Sequence, residues 1–343
     1  MKYIADGATI TNRLLFLDGR VKESIMGGGG FYAYTALRMC TDDCLYLSSV
    51  GKDFDDFYGD WFEKNNCSKE GLYVQLDKTM YNDLKYFPDG SYIEYSIYGR
   101  KYTDEELFAL RKSGVMYIPN EDPVKEAMGY LQVKDYASFI DEAKGLYTSM
   151  HLSDENNEIL LKHKQGGCKV MWEIPPSSLV SAHEAYLEGG IEGLKHYLRA
   201  VDILSINRNE CAIVFDKKTD EEILPALKAL KLPVYYRVGI DGAYMIADDR
   251  AYYVPMISTV DKEKEIDPTG CGNSSTGAAL WAWCEGYDPL MTCIIGNVVA
   301  SYNVRQYGPY LDMSAEARNE MMEIAEDYYK KLKGEDVNDR NGL

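Results

Sequence analysis

Residues 266–283 read Ile-Asp-Pro-Thr-Gly-Cys-Gly-Asn-Ser-Ser-Thr-Gly-Ala-Ala-Leu-Trp-Ala-Trp. Gly270 and Gly272 precede a run with helix-forming composition. A Gly-x-Gly turn leading into a helix aims several backbone N–H groups at one point, and the helix dipole adds about half a positive charge there. Gly270, Cys271 and Gly272 therefore predict a cradle for a phosphate oxyanion. Asn273 closes the turn. Its amide can orient a hydroxyl but has no proton affinity near neutral pH, so it cannot act as a general base. Cys271 allows two readings: a thiolate favoured by the helix N-terminus, or a small residue whose backbone N–H does the work. The stretch is not a Walker A loop, because Ala278 follows Gly277 where Lys-Ser/Thr is required. Its glycine spacing and preceding Asp-Pro also exclude a dinucleotide fingerprint.

Two other segments carry suitable groups. Asn207-Arg208-Asn209-Glu210 follows the apolar run 203–206. An Asn and a Glu three apart at a helix start can face one cavity, and such oxygens suit a hydrated magnesium ion. The same pair would also make a simple capping box. Arg237-Val238-Gly239-Ile240-Asp241-Gly242 ends the run 234–238. Arg237 could reach a phosphate, and Gly239 would let backbone come close to a nucleotide. The alternative is an ordinary β-turn into the next strand.

The 343-residue chain has a formal net charge of −18, 46% hydrophobic and 27% charged residues. That is the composition of a soluble globular protein, and the charge argues against a nucleic-acid partner. An anionic ligand must be held by local donors rather than the global field. No apolar run is long enough to span a membrane, and the N-terminus lacks a signal-type apolar region. The eight cysteines form no Cys-x-x-Cys pair, so reduced thiols in a cytoplasm are expected.

The elements that must position these groups read as follows. Gly27 to Gly30 precede an Ala/Leu-rich helix reaching Cys40, which suggests close backbone approach to a ligand or a strand. Residues 45–50 read as a strand and 55–65 as an amphipathic helix. Residues 14–21, with an Asp18-Gly19 turn, and the alternating runs of 72–98, with a Pro88-Asp89-Gly90 turn, predict a small antiparallel sheet covering one mouth. From residue 115 the apolar runs 115–118, 146–149, 170–173, 203–206 and 234–238 alternate with helices at 155–164, 183–198 and 221–230. This predicts an α/β fold with a mainly parallel sheet and helices on both faces, its ligands lying beyond the carboxyl ends of the strands. Helices at 289–307 and 314–332 cover the sheet. One domain over 1–333 is expected, with lid strands from about 12–22 and 72–98, and a flexible tail at 334–343.

Asn-x-x-Glu, Gly-x-x-Gly and Asp-x-Thr-Gly-x-Gly-x, in this order, resemble the ribokinase/pfkB family of small-molecule kinases. The glycine-rich helix start matches too, as does Ser49-Val50-Gly51-Lys52-Asp53, which is similar to that family's Val-Gly-x-Asp segment. The resemblance spans about residues 3–332 and looks closest to an atypical branch similar to the fungal maintenance-of-killer proteins. It implies a ribokinase-like three-layer sandwich and an ATP-dependent phosphotransferase that moves the γ-phosphoryl to an alcohol of a sugar-like molecule. ATP and magnesium are the implied cofactors, with a monovalent cation as a further candidate. Asn207, Arg237, Gly239, Gly242, Asp267, Thr269 and Asn297 are implied at the nucleotide, and Asn207 and Glu210 at magnesium. Asn12, Gly28, Gly29, Gly30 and Phe31 are implied at the substrate. A homodimer through the tyrosine-rich lid is also expected.

The departures from that family are Asn273 where it carries its catalytic Asp, Asn12 where an Asp binds sugar hydroxyls, and Phe31 near a sugar-binding Asn. They leave three options open. Another carboxylate such as Asp267 or one from the lid could serve as base, the acceptor could need none, or the chain could bind nucleotide without turnover in a regulatory or assembly role.

Overall fold

The computed structural model describes residues 1–88 and 91–334. The expected turn at Asp89-Gly90 and the tail beyond residue 334 lie outside the described residues. In chain order the first strands are β1 (Tyr3–Asp6), β2 (Ile10–Leu15), β3 (Val21–Gly27), β4 (Cys44–Gly51), β5 (Leu72–Leu76), β6 (Met80–Tyr86), β7 (Tyr92–Ser96) and β8 (Tyr117–Ile118). They are followed by β9 (Gly145–Thr148), β10 (Lys169–Glu173), β11 (Ile203–Asn207), β12 (Val234–Arg237), β13 (Ala243–Ala247) and β14 (Arg250–Val254).

The main sheet has nine strands in the order β14-β13-β12-β11-β10-β9-β1-β4-β5. Pairing is parallel from β5 to β12 and antiparallel for β12–β13 and β13–β14. Strands of this kind are buried on both faces and read as continuous apolar runs, which is how β4 and β9 read. One face packs against the helices Gly29–Cys40, Cys271–Cys284 and Pro289–Asn303, with Ala315–Gly334 outside them. The other is covered by Val133–Ile140, Asp154–His163, Leu179–Tyr197, Arg208–Phe215 and Asp220–Ala229. This is the expected three-layer ribokinase-like arrangement. Trp172 of β10 is fully buried in the second layer, and its indole donates to Met150 O at 2.8 Å, so its one polar atom is satisfied.

The smaller sheet has the order β3-β2-β6-β7-β8. Its hairpins β2–β3 and β6–β7 are antiparallel, and β2–β6 and β7–β8 join them in parallel. Gly19 closes the first hairpin at φ 81°, a left-handed conformation that glycine adopts without strain.

Two assignments need correction. β5 was expected in the lid but is the edge strand of the main sheet, in parallel register with Ser48 of β4. Its Val74 and Gln75 are both exposed, as an edge position allows. The run 115–118 was expected in the main sheet, but its strand, β8, closes the small sheet against β7. At two residues it is too short for periodicity to place.

Candidate functional site

The candidate residues converge beyond the carboxyl ends of adjacent parallel strands. Tyr147 lies in β9, Glu173 ends β10, Asn207 ends β11 and Arg237 ends β12, with Asn207 and Arg237 paired in register. Gly270 is the N-cap of the helix Cys271–Cys284, in a left-handed conformation at φ 79°. Ser275 Oγ and Thr276 Oγ1 both donate to Gly272 O, at 2.8 and 2.9 Å, and fix the first turn. Thr276 Oγ1 is also 2.8 Å from Ser205 Oγ, tying the helix to β11. Residues 269–273 stay partly exposed, so the N–H cradle faces outward.

Arg237 reaches this cradle. A Cβ added to Gly272 would lie 2.3 Å from Arg237 Nη1, so the guanidinium rests directly on the glycine. The same Nη1 pairs with Glu173 Oε1 at 2.7 Å, and Nη2 lies 3.6 Å from Glu210 Oε2. Arg237 Nε and Nη2 are buried and make no hydrogen bond. A guanidinium against the positive end of a helix is poised for an anion, and two unmade charged donors add to that preference.

Asn207 and Glu210 form a full capping box: Glu210 N donates to Asn207 Oδ1 at 3.0 Å, and Asn207 N donates to Glu210 Oε2 at 2.7 Å. The capping reading holds, and both side chains stay partly exposed at the carboxyl end of β11. Burial pushes the Glu210 carboxyl up to about 7 against the opposing pull of Arg237. Among the described residues no group of three His, Cys, Asp or Glu side chains could hold a metal. Asn207 and Glu210 offer oxygen donors of the kind that would suit a hydrated magnesium ion.

Arg208 clamps the neighbouring loop. It is bidentate to Asp220 at 3.0 and 2.7 Å and reaches Asp241 at 2.9 Å. Gly239, at φ 67°, has open space where a side chain would stand, and Ile240 beside it is 84% exposed. Gly242 is a glycine for packing, since a Cβ there would strike Val254 O at 2.1 Å. Asn297 is buried in the helix Pro289–Asn303 and donates to Cys293 O at 2.9 Å within its own helix. Burial pushes the Cys271 thiol up to about 12, against a thiolate, and its Sγ donates to Ala300 O at 3.6 Å.

Asp267 and Thr269 brace the cradle. Asp267 Oδ1 accepts from Thr269 N at 3.0 Å and Thr269 Oγ1 at 2.7 Å. Tyr86 of β6 in the lid reaches Thr269 Oγ1 at 2.7 Å, and Asn303 Nδ2 donates to Thr269 O at 2.7 Å. Phe16 stacks on Tyr86 at 5.4 Å. The lid is therefore clasped onto the loop.

The acceptor side is built differently. A Cβ at Gly28 would meet Ala8 O at 2.1 Å, and one at Gly30 would meet Gly7 Cα at 2.5 Å, so both serve close backbone packing. Gly29 alone faces the site: a Cβ there would lie 2.9 Å from Asn273 Nδ2. Asn12 is buried in β2 with Oδ1 unpartnered, which keeps it a candidate for binding a ligand hydroxyl. Phe31 is corrected. It is 0% exposed and packed among Tyr46, Tyr58, Trp61 and Phe62, so it belongs to the aromatic core. The next residue, Tyr32, lies against the loop instead: a Cβ on Gly270 would fall 2.2 Å from its ring.

Residues 139–316, about half of the chain, match the pfkB family carbohydrate kinase description. The chain belongs to the pfkB family of carbohydrate kinases. Solved pfkB-fold structures agree in architecture. The nucleoside kinase of Burkholderia thailandensis in complex with ADP-inosine is 16% identical, with a TM-score of 0.67 and 96% of each chain covered. Adenosine kinase from Sinorhizobium meliloti is 14% identical with a TM-score of 0.67, covering 93% of this chain and 99% of its own. Arabidopsis thaliana ribokinase, complexed with ribose and ATP, is 14% identical with a TM-score of 0.63, covering 94% and 97%. Identities this low establish a shared fold. A search of curated proteins finds no match.

Two residues of this pfkB site carried no motif in the sequence: Tyr147 and Glu173. Tyr147 Oη donates to Glu173 Oε2 at 2.8 Å and accepts from Asn273 Nδ2 at 3.3 Å. The available signal was position, because polar groups at the carboxyl ends of parallel strands face the ligand crevice. No helix is long and apolar enough to cross a membrane among the described residues.

Proposed function

We propose that the protein is an ATP-dependent phosphotransferase acting on an alcohol group of a small sugar-like or nucleoside molecule. The observation that carries this reading is Arg237 resting on Gly272 with two buried nitrogens unbonded. The N–H groups of Gly270 and Gly272 and the Arg237 guanidinium would together receive the transferred phosphoryl, the Cys271 N–H being donated to Pro268 O at 3.1 Å. Gly239 leaves room for the nucleotide, and Ile240 offers an apolar surface for its base. Magnesium, when bound with ATP, neutralises phosphate charge beside Glu210 and Asn207. Gly29, Asn273 and Asn12 would present the acceptor hydroxyl.

Asn273 cannot take the acceptor's proton. Losing a base costs about 10² to 10⁴ in rate. Phosphoryl transfer leans mainly on positioning and charge stabilisation, so the remaining groups can still support turnover. ATP-dependent phosphorylation, followed across a panel of sugars and nucleosides, should find an acceptor. The panel includes both classes because structural relatives are described with inosine and with ribose. No transfer to any acceptor would defeat the reading.

The second reading is a nucleotide-binding protein without turnover. Asn273 at the base position and Phe31 in the core favour it. Nucleotide binding without transfer on the same panel would select it.

A further inference from the structure

Asn273 is usually judged by what it lacks, but its neighbours explain why an amide stands there. Tyr147 is fully buried, and burial beside Glu173 holds its phenol well above the ordinary range, so it stays protonated. A phenol has one proton, and Tyr147 gives it to Glu173 Oε2 at 2.8 Å. Only lone pairs of Tyr147 Oη remain for residue 273, so the group facing it must donate. Asn273 Nδ2 does so at 3.3 Å. An ionised aspartate could not. The other oxygen of Glu173, Oε1, is neutralised by Arg237 at 2.7 Å. The titratable and charged groups around position 273 are thus Tyr147 from β9, Glu173 from β10 and Arg237 from β12, with Glu210 across Arg237 and Tyr32 from the helix Gly29–Cys40.

We infer that Tyr147 and Glu173 are positioning residues that require an amide at 273 and turn its Oδ1 toward the acceptor. Asn273 Oδ1 makes no hydrogen bond among the described residues, which leaves it for an acceptor hydroxyl. The direction of the Tyr147–Glu173 bond sets this polarity. The inference deepens the phosphotransferase reading by naming what orients its acceptor, but the buried network stands on its own hydrogen bonds.

Asn273→Asp therefore should not restore a conventional base. It would place a second carboxylate across Tyr147 from Glu173, competing for the single phenol proton, which favours a proton on the introduced carboxyl. With the folded pKa of the introduced carboxyl raised, the variant is least penalised at low pH and loses stability as pH rises from about 4. Expected is a melting temperature below wild type, with the gap widening by roughly 3 °C or more between pH 5 and pH 8. The charge-conserving pair Asn273→Asp/Glu173→Gln should remove the widening, because Tyr147 is then released to donate to the new carboxylate. In the transfer assay Asn273→Asp should not exceed wild type, and the pair should exceed Asn273→Asp at least tenfold. A pH-independent gap, or Asn273→Asp outpacing wild type with Glu173 intact, would overturn the inference. Melting needs no turnover, so a widening gap in an inert protein would uphold the network and defeat the phosphotransferase reading alone.

Discussion

The two halves of the site are built from opposite materials. The phosphate half, at the ends of β10, β11 and β12, is charged and under-bonded: Arg237 between Glu173 and Glu210, facing a helix N-terminus. The acceptor half, at the start of the helix Gly29–Cys40, is aromatic and filled, with Phe31 and Tyr32 buried and Tyr86 clasping Thr269. A protein with a net charge of −18 thus keeps a buried cation at the point where an anion would arrive. The contrast implies that phosphate handling and acceptor choice are separable here. The first uses groups any ATP would need.

The sharpest break of that contrast is Arg237→Ala. It removes the cation facing the cradle and leaves Glu173 and Glu210 without their shared partner. Transfer should fall about 10² to 10³-fold, and stability by about 3–5 kcal/mol, as for any broken buried ion pair. Steady-state kinetics and denaturant unfolding check both. Loss of stability with unchanged transfer would make Arg237 purely structural.

Asp6, at the end of β1, tests the opposite layer, because its carboxyl meets Tyr136 of the helix Val133–Ile140. It is buried, accepts from Tyr136 Oη at 2.9 Å and Thr148 Oγ1 at 2.7 Å, and burial raises it from 3.8 to about 7. The fold favours its protonated form, so this contribution is full below about pH 4 and lost as pH rises through about 7. Asp6→Asn keeps the acceptor oxygen and removes the charge. Its melting temperature should exceed wild type by more at pH 8 than at pH 5, corresponding to about 2–4 kcal/mol. A difference that does not change with pH would contradict this.

The smallest effect should come from Tyr86→Phe, which removes the lid's bond to Thr269. A loss near 1 kcal/mol is expected, seen as a several-fold rise in acceptor KM with ATP KM unchanged. Equal changes in both would mean that the clasp serves the nucleotide as well.

The phosphate half was legible in the sequence because its signals are local. Gly270, Gly272, Asn207, Glu210 and Arg237 lie in short segments whose spacing itself specifies a turn or a cap. The acceptor half was not, because it is assembled across the sheet. Tyr147, and the Glu173 that joins it to Arg237 of the phosphate half, sit near the ends of runs that read only as buried strands. Phe31 was placed by its offset from the glycines, yet helical geometry sends it into the core and brings Tyr32 to the loop. Likewise β5 and β8 could exchange sheets because strand partners are set by tertiary packing, not by alternation.

Calorimetric titration of ATP with magnesium into the wild type and Arg237→Ala is the most direct measurement. Saturable binding by the wild type, weakened at least tenfold in Arg237→Ala, is the predicted result. No binding, or binding indifferent to Arg237, would contradict the claim that these residues form a phosphate site.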